Sequence, residues 1–169
     1  MKDRILDLIR DVPDYPQPGV MFKDITPLLD DHVAFKAVVD EIAGMFEVDK
    51  IVGIESRGFI LAAPVAYRAG AGFVPVRKKG KLPSATLEES YDLEYGSATI
   101  EVHRDAMAPG DRVLIVDDVL ATGGTARATV ELVRRTGAEV VGIAVLMELA
   151  FLKGRERLEG VDLRSLVIV

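Results

Sequence analysis

Residues 113–126 read VLIVDDVLATGGTA. Four apolar residues lead into Asp117 and Asp118. A loop of small residues follows, Ala121-Thr122-Gly123-Gly124-Thr125, and then a helical pattern begins. The two glycines let backbone N–H groups converge on an anion. The hydroxyls of Thr122 and Thr125 add donors, and the following helix turns its positive N-terminus toward the loop. The plainer alternative is a strand-to-helix turn that needs glycine for conformation only. No lysine follows the glycines as in a Walker A loop, and no GxGxxG is present. The stretch GIESRG at 53–58 has Walker-like glycine spacing but continues Phe-Ile, so it does not qualify either.

The two aspartates decide what kind of anion suits the loop. Sharing a pocket with a phosphate, they would repel it. They make sense facing hydroxyl groups, because a carboxylate accepts two hydrogen bonds. A divalent metal nearby would reduce the remaining repulsion. A ligand with a phosphate at one end and a vicinal diol a few ångströms away meets both needs, and ribose 5-phosphate is one. Arg57 lies in a Ser-Arg-Gly turn after an apolar run, and Arg77, Lys78, Lys79 and Lys81 form the densest basic cluster. The lysines taken alone fit a solvated loop. Taken with Arg57 they fit a second anion site, and hence a phosphorylated sugar carrying a second phosphate group.

The rest of the chain supplies the frame. With 169 residues, 49% of them hydrophobic, the default is one compact globular domain. A net charge of −6 gives no global attraction for nucleic acid or an anionic membrane. The lack of cysteine excludes disulfide and thiolate chemistry and suits the cytoplasm. No apolar run nears the ~18 residues of a membrane span, and MKDRILDLIR lacks the apolar core of a signal peptide.

Short β-branched runs at 50–54, 72–76, 112–116, 139–147 and 163–169 alternate with helical patterns at 58–70 and 124–138. Another helix is expected after Asp31, and a short one at 3–10. Nearly continuous apolar strands alternating with helices predict an α/β fold with a mainly parallel sheet flanked by helices on both faces. Ligands of such sheets sit beyond the strands' carboxyl ends. GIESRG, VRKKGK and VDDVLATGGT all fall there, which makes one shared site the economical reading. Four of eight prolines crowd residues 12–31, read as an irregular N-terminal arm. The charged interval after residue 76 reads as a mobile loop and an antiparallel ribbon, about 77–104. His32 and His103 read as structural or surface residues.

VLIVDDVLATGGTA resembles the phosphoribosyl-pyrophosphate (PRPP) signature of type I phosphoribosyltransferases. Further matches are YPQPGVMFKDITPLL, GIESRGFILAAPVA, FVPVRKKGKLP, YDLEYG and LKGRERL. In this order and spacing they resemble the adenine phosphoribosyltransferase family over nearly the whole chain. The resemblance implies a type I phosphoribosyltransferase fold and transfer of phosphoribose from PRPP to adenine, giving AMP and pyrophosphate.

It also implies roles by position. Asp117 and Asp118 would hold the ribose hydroxyls and, indirectly, Mg²⁺. Ala121, Thr122, Gly123, Gly124 and Thr125 would cradle the 5′-phosphate. Ser56, Arg57 and Gly58 would form the pyrophosphate loop, commonly with a non-proline cis peptide before Ser56. Arg77, Lys78 and Lys81 would meet pyrophosphate, with Arg57 also assisting catalysis. Phe22 would stack on adenine while backbone groups of Met21 and Lys23 read its edge. Lys23 stands where arginine is common in the family. Glu94 would handle the purine's proton, and Tyr95 shares its closing segment. A homodimer is implied as well, helped by the apolar helix GFILAAPVAY. Two alternatives remain: the same fold serving another purine base, and a non-catalytic PRPP-sensing regulator. The latter calls for a basic face or an added DNA-binding segment.

Overall fold

The structure is a computed structural model and describes residues 1–93 and 95–169. The expected parallel strands form where the apolar runs lie: β3 (Lys50–Ile54), β4 (Gly72–Lys78), β7 (Arg112–Leu120), β8 (Glu139–Glu148) and β9 (Leu163–Ile168). A hairpin of β5 (Thr86–Asp92) and β6 (Ser97–His103) pairs antiparallel along one edge, so the sheet runs β5-β6-β4-β3-β7-β8-β9.

Alternation along the strands divides the core between two faces. Val113 and Ile115 of β7 face α5 (Gly124–Arg135), joining Val130 and Val133. Leu114 and Val116 face the other way, toward Val38 and Ile42 of α3 (His32–Ala43) and Leu61 and Val65 of α4 (Arg57–Ala69). Asp31 caps α3 by accepting from Ala34 N at 2.9 Å, as an N-cap aspartate can.

Three expectations need correction. The N-terminal arm is not irregular throughout. After the expected short helix, α1 (Lys2–Asp7), it contains a two-stranded ribbon of β1 (Arg10–Val12) and β2 (Phe22–Asp24), and the short helix α2 (Thr26–Asp30). Pro27 falls within the first turn of α2, where a missing N–H costs nothing, so that proline opens a helix. The interval read as a mobile loop and an antiparallel ribbon does hold the ribbon, but its loop is shorter than expected. β4 runs on through Arg77 and Lys78, and only residues 79–85 link it to the hairpin. Finally, β7 continues four residues past Val116, so Asp117 and Asp118 sit inside a strand and not beyond its end. β8 pairs with Asp117, Val119 and Leu120, extending the ladder past the aspartates.

Candidate active site

One cavity of 290 Å³ opens at the carboxyl end of β3 and along the last residues of β7. It is lined by residues 54–57 and 117–126, so the GIESRG and VDDVLATGGT motifs do share a site. The Glu55–Ser56 peptide is cis, as the resemblance implied. Asp118 is 4% exposed. Its Oδ2 lies 2.9 Å from Arg57 Nε, but the pair is not aligned for a hydrogen bond, so this buried oxygen has a charge partner and no donor. Such an oxygen is costly unless something donates to it, and a hydroxyl or a bound water would. Asp117 Oδ1 accepts from Asp118 N at 2.9 Å. Removal from water, and then the neighbouring Asp118 charge, push the Asp117 carboxyl well above the ordinary carboxylate range. Gly58 is required here: a Cβ on it would stand 2.8 Å from Asp117 Oδ1.

The loop at 121–125 is held from behind. Gly123 has φ +86°, and a Cβ there would meet the carbonyl oxygen of Gly154 at 2.6 Å. Gly154 is itself buried against the Ala121 carbonyl, so the two backbones pack without side chains between them. Gly154 begins the 3₁₀ turn Gly154–Leu158, which is the LKGRERL motif. Glu148, at the end of β8, fixes that turn by pairing with Arg155 at 2.6 Å and accepting from Ser165 Oγ at 2.5 Å. The hydrogen bonds from Arg155 hold the Glu148 carboxyl below its ordinary range. Thr122 is exposed at the mouth of the cavity, and Thr125 Oγ1 donates to Tyr91 Oη at 2.9 Å.

The basic cluster reaches the same place with a carboxylate the sequence analysis passed over. Glu55 accepts from Arg77 Nε at 2.8 Å and from Lys81 Nζ at 2.6 Å. Burial alone would raise the Glu55 carboxyl, but the Lys81 and Arg77 hydrogen bonds outweigh it and hold it below the ordinary range. Lys78 is exposed, and only its backbone N–H approaches Glu55, at 3.4 Å. A second missed carboxylate, buried Glu101 of β6, shapes the loop that carries Lys81. It accepts from Gly80 N at 3.2 Å, Leu82 N at 3.0 Å and Thr86 Oγ1 at 3.3 Å. The sequence signal for Glu101 was a glutamate set between Ile100 and Val102 in an apolar run. Glu55 was visible inside GIESRG, although nothing in the sequence joined it to Arg77.

The arm meets the cavity through Arg57, whose guanidinium carbon lies 5.1 Å from the centre of the Phe22 ring. Tyr15 packs edge-on against Phe22 at 5.1 Å. Met21 is half exposed, and Lys23 is tied across the ribbon to Asp11 at 2.7 Å. Tyr95 is 88% exposed, and Glu94 lies outside the described residues. His32 opens α3, and His103 ends β6 and accepts from Ser84 N at 3.4 Å; neither lines the cavity.

A mainly parallel sheet whose β7 carries an aspartate pair near its end, followed by a glycine-threonine loop, has the features of the phosphoribosyltransferase class, and the phosphoribosyl transferase domain family matches residues 29–166. An adenine phosphoribosyltransferase of Thermobifida fusca is 64% identical over 164 residues, covering 95% of this chain and 93% of its own length. The crystal structure of adenine phosphoribosyltransferase from Thermoanaerobacter pseudethanolicus superposes with a TM-score of 0.96 at 48% identity, covering 100% of both chains. The Saccharomyces cerevisiae enzyme, complexed with an imino-altritol bisphosphate and adenine, gives 0.91 at 37% identity over 98% of this chain and 97% of that one. The chain belongs to the adenine phosphoribosyltransferase family.

Proposed function

We propose that the protein transfers the 5-phosphoribosyl group of PRPP to adenine, forming AMP and pyrophosphate in purine salvage. The observation that carries this reading is the position of Arg57. Its side chain reaches the buried Asp118 carboxylate at 2.9 Å and the Phe22 ring at 5.1 Å. Carboxylates suited to a diol and a ring suited to a flat base therefore meet at one guanidinium, which lines the same cavity as the loop suited to a phosphate. The yeast relative complexed with adenine and a bisphosphate supports the same pairing of ligands.

In the reaction the C1–oxygen bond to pyrophosphate breaks, positive charge develops on the ribose, and N9 of adenine bonds to C1 from the opposite face. Asp117 and Asp118 hold the ribose hydroxyls, and residues 121–125 hold the 5′-phosphate. Ser56, Arg57, Gly58, Arg77, Lys78 and Lys81 receive pyrophosphate, where fixed positive charge stabilises the leaving group. Phe22 stacks on adenine between the backbone groups of Met21 and Lys23. The N9 proton passes to Glu94, in the segment that joins β5 to β6, with Tyr95 beside it covering the reacting centre against water.

Mg²⁺ fits this donor set. Among the described residues no cluster of three or more His, Cys, Asp or Glu could enclose a metal. Two carboxylates, one with an undonated oxygen, suit an ion held mainly by ligand oxygens and water. Asp117 and Asp118 would hold it indirectly, and it would supply charge neutralisation for pyrophosphate. We take the enzyme as cytoplasmic and homodimeric. Ile60, Tyr67 and Phe73, exposed on α4 and β4, are apolar surface a second copy would cover. Sedimentation of an 18.3 kDa monomer at micromolar concentration would count against the dimer.

The deciding assay offers purified protein PRPP, Mg²⁺ and each purine base in turn. Adenine presents an amino donor at C6 and an acceptor at N1, and hypoxanthine reverses both. A site bonded to one pattern rejects the other by ~10⁴ or more in kcat/KM, because buried groups are left unpaired. Comparable turnover of hypoxanthine would overturn the choice of base. Tight PRPP binding without any turnover would favour the regulator.

A further inference from the structure

Tyr91 was part of the YDLEYG motif but received no role, and its surroundings give it one. It lies in β5, one residue before the strand ends, partly buried against the α5 face of the core. A Cβ on Gly124 would stand 3.2 Å from its ring, so the ring packs directly on the loop-to-helix junction. Its hydroxyl is the described partner of Thr125 Oγ1, at 2.9 Å, and Thr125 lines the cavity. The middle of β5 is tied to the same helix, since Arg135 donates to the Glu88 carbonyl and pairs with Glu89 at 3.2 Å.

We propose that Tyr91 is a positioning residue that aims the Thr125 hydroxyl at the substrate's phosphate and so couples the β5–β6 hairpin to phosphate binding. The proposal rests on residues 121–125 being the phosphate cradle. Thr125 has one hydroxyl hydrogen and can also accept. A phosphate oxygen is a stronger acceptor than a phenol oxygen and takes that hydrogen. The Tyr91 O–H then needs only to rotate about its C–O bond to donate to Thr125 Oγ1. The resulting chain runs from phenol to threonine to phosphate, and each bond polarises the next. A phenol is the right head for it, because it is a better donor than an aliphatic hydroxyl and its ring is fixed by Gly124. No charged side chain could do this without repelling the phosphate or drawing it away.

Calorimetry of ribose 5-phosphate, AMP and adenosine with wild type, Tyr91→Phe, Thr125→Val and the double variant tests the coupling. Phe keeps the ring and its packing, so only the hydroxyl is lost. We expect Tyr91→Phe to weaken ribose 5-phosphate and AMP about three- to tenfold, the scale of one hydrogen bond, and to leave adenosine unchanged. In the Thr125→Val background the same change should have no further effect. In steady state the loss should appear in the KM for PRPP and not in kcat. Equal weakening of adenosine, an undiminished effect without the Thr125 hydroxyl, or unchanged or tighter phosphate binding would each overturn the proposal. Wild type that binds ribose 5-phosphate but not AMP would overturn the choice of adenine and leave the Tyr91 comparison readable. Wild type that binds neither would overturn both.

Discussion

The two walls of the cavity are made of different material. The wall at 121–125 is mostly backbone, curled at Gly123 and backed by Gly154 with no side chain between them. The wall formed by 55–57, backed through Glu55 by the 77–81 segment, carries charged side chains that already have partners. Arg57 faces Asp118, and Arg77 and Lys81 share Glu55. Backbone donors are fixed by packing and keep their direction whatever the solution contains. Side-chain cations must be taken from their carboxylates by an incoming anion. The first wall therefore recognises by shape and the second by exchange of charge partners, which suits a group that must be held and then released.

The largest effect is expected at Glu94. Glu94→Gln keeps the size and removes the basicity, and kcat should fall by ~10²–10⁴, the usual scale for a positioned proton-transfer group. PRPP affinity should change far less. Glu88→Gln, on the same hairpin but paired with Lys79 at 3.3 Å, is the control. Equal, near-wild-type kcat for both variants, with chemistry shown to be rate-limiting, would remove Glu94 from the mechanism.

Asp117 and Asp118 sit where the two walls meet, and replacing both with Asn sharpens the contrast. The charge-assisted bonds to a diol should weaken by roughly 1.5–3 kcal/mol each. AMP affinity should drop steeply while the melting temperature holds or rises. A rise would follow from relieving the crowded carboxylates, since burial and Asp118 already press the Asp117 carboxyl toward its neutral form. Unchanged AMP binding by calorimetry would reduce the pair to a structural feature of β7.

The backbone wall was also the more legible in sequence. Apolar alternation located β3 and β7, and glycine-threonine chemistry located the loop, because both are local properties of the chain. The partners that complete the site are remote in sequence. Glu55 meets Lys81 across 26 residues, and Tyr91 meets Thr125 across 34. Only the sheet order, with β4 beside β3 and the β6–β5 hairpin beyond it, brings them together. The charged pattern of 77–103 let the ribbon be read but hid how far its strands extend, since an edge hairpin exposed on one side carries Glu and Lys where a buried strand carries Val. Pro27 misled for a related reason: a proline's effect depends on which helical position it takes, and a cluster of prolines does not reveal that.

The smallest effect separates the walls most cleanly. Lys81 is 47% exposed and already paired, so its attraction for pyrophosphate is screened by water and offset by Glu55. Exposed ion pairs contribute about 0.2–1 kcal/mol, so Lys81→Ala should weaken pyrophosphate only about two- to fivefold at low salt. Near 1 M salt the Debye length falls to ~3 Å and the difference from wild type should vanish. Ribose 5-phosphate, held by the other wall, should bind equally well to both proteins at every salt concentration. Calorimetric titrations of the two ligands across a salt series make the comparison. If ribose 5-phosphate weakens in step with pyrophosphate, the cations serve the whole cavity and the division between a fixed wall and an exchanging wall is wrong. If only pyrophosphate responds, the charge of the 77–81 strand end is confined to the leaving group by the carboxylate that holds it.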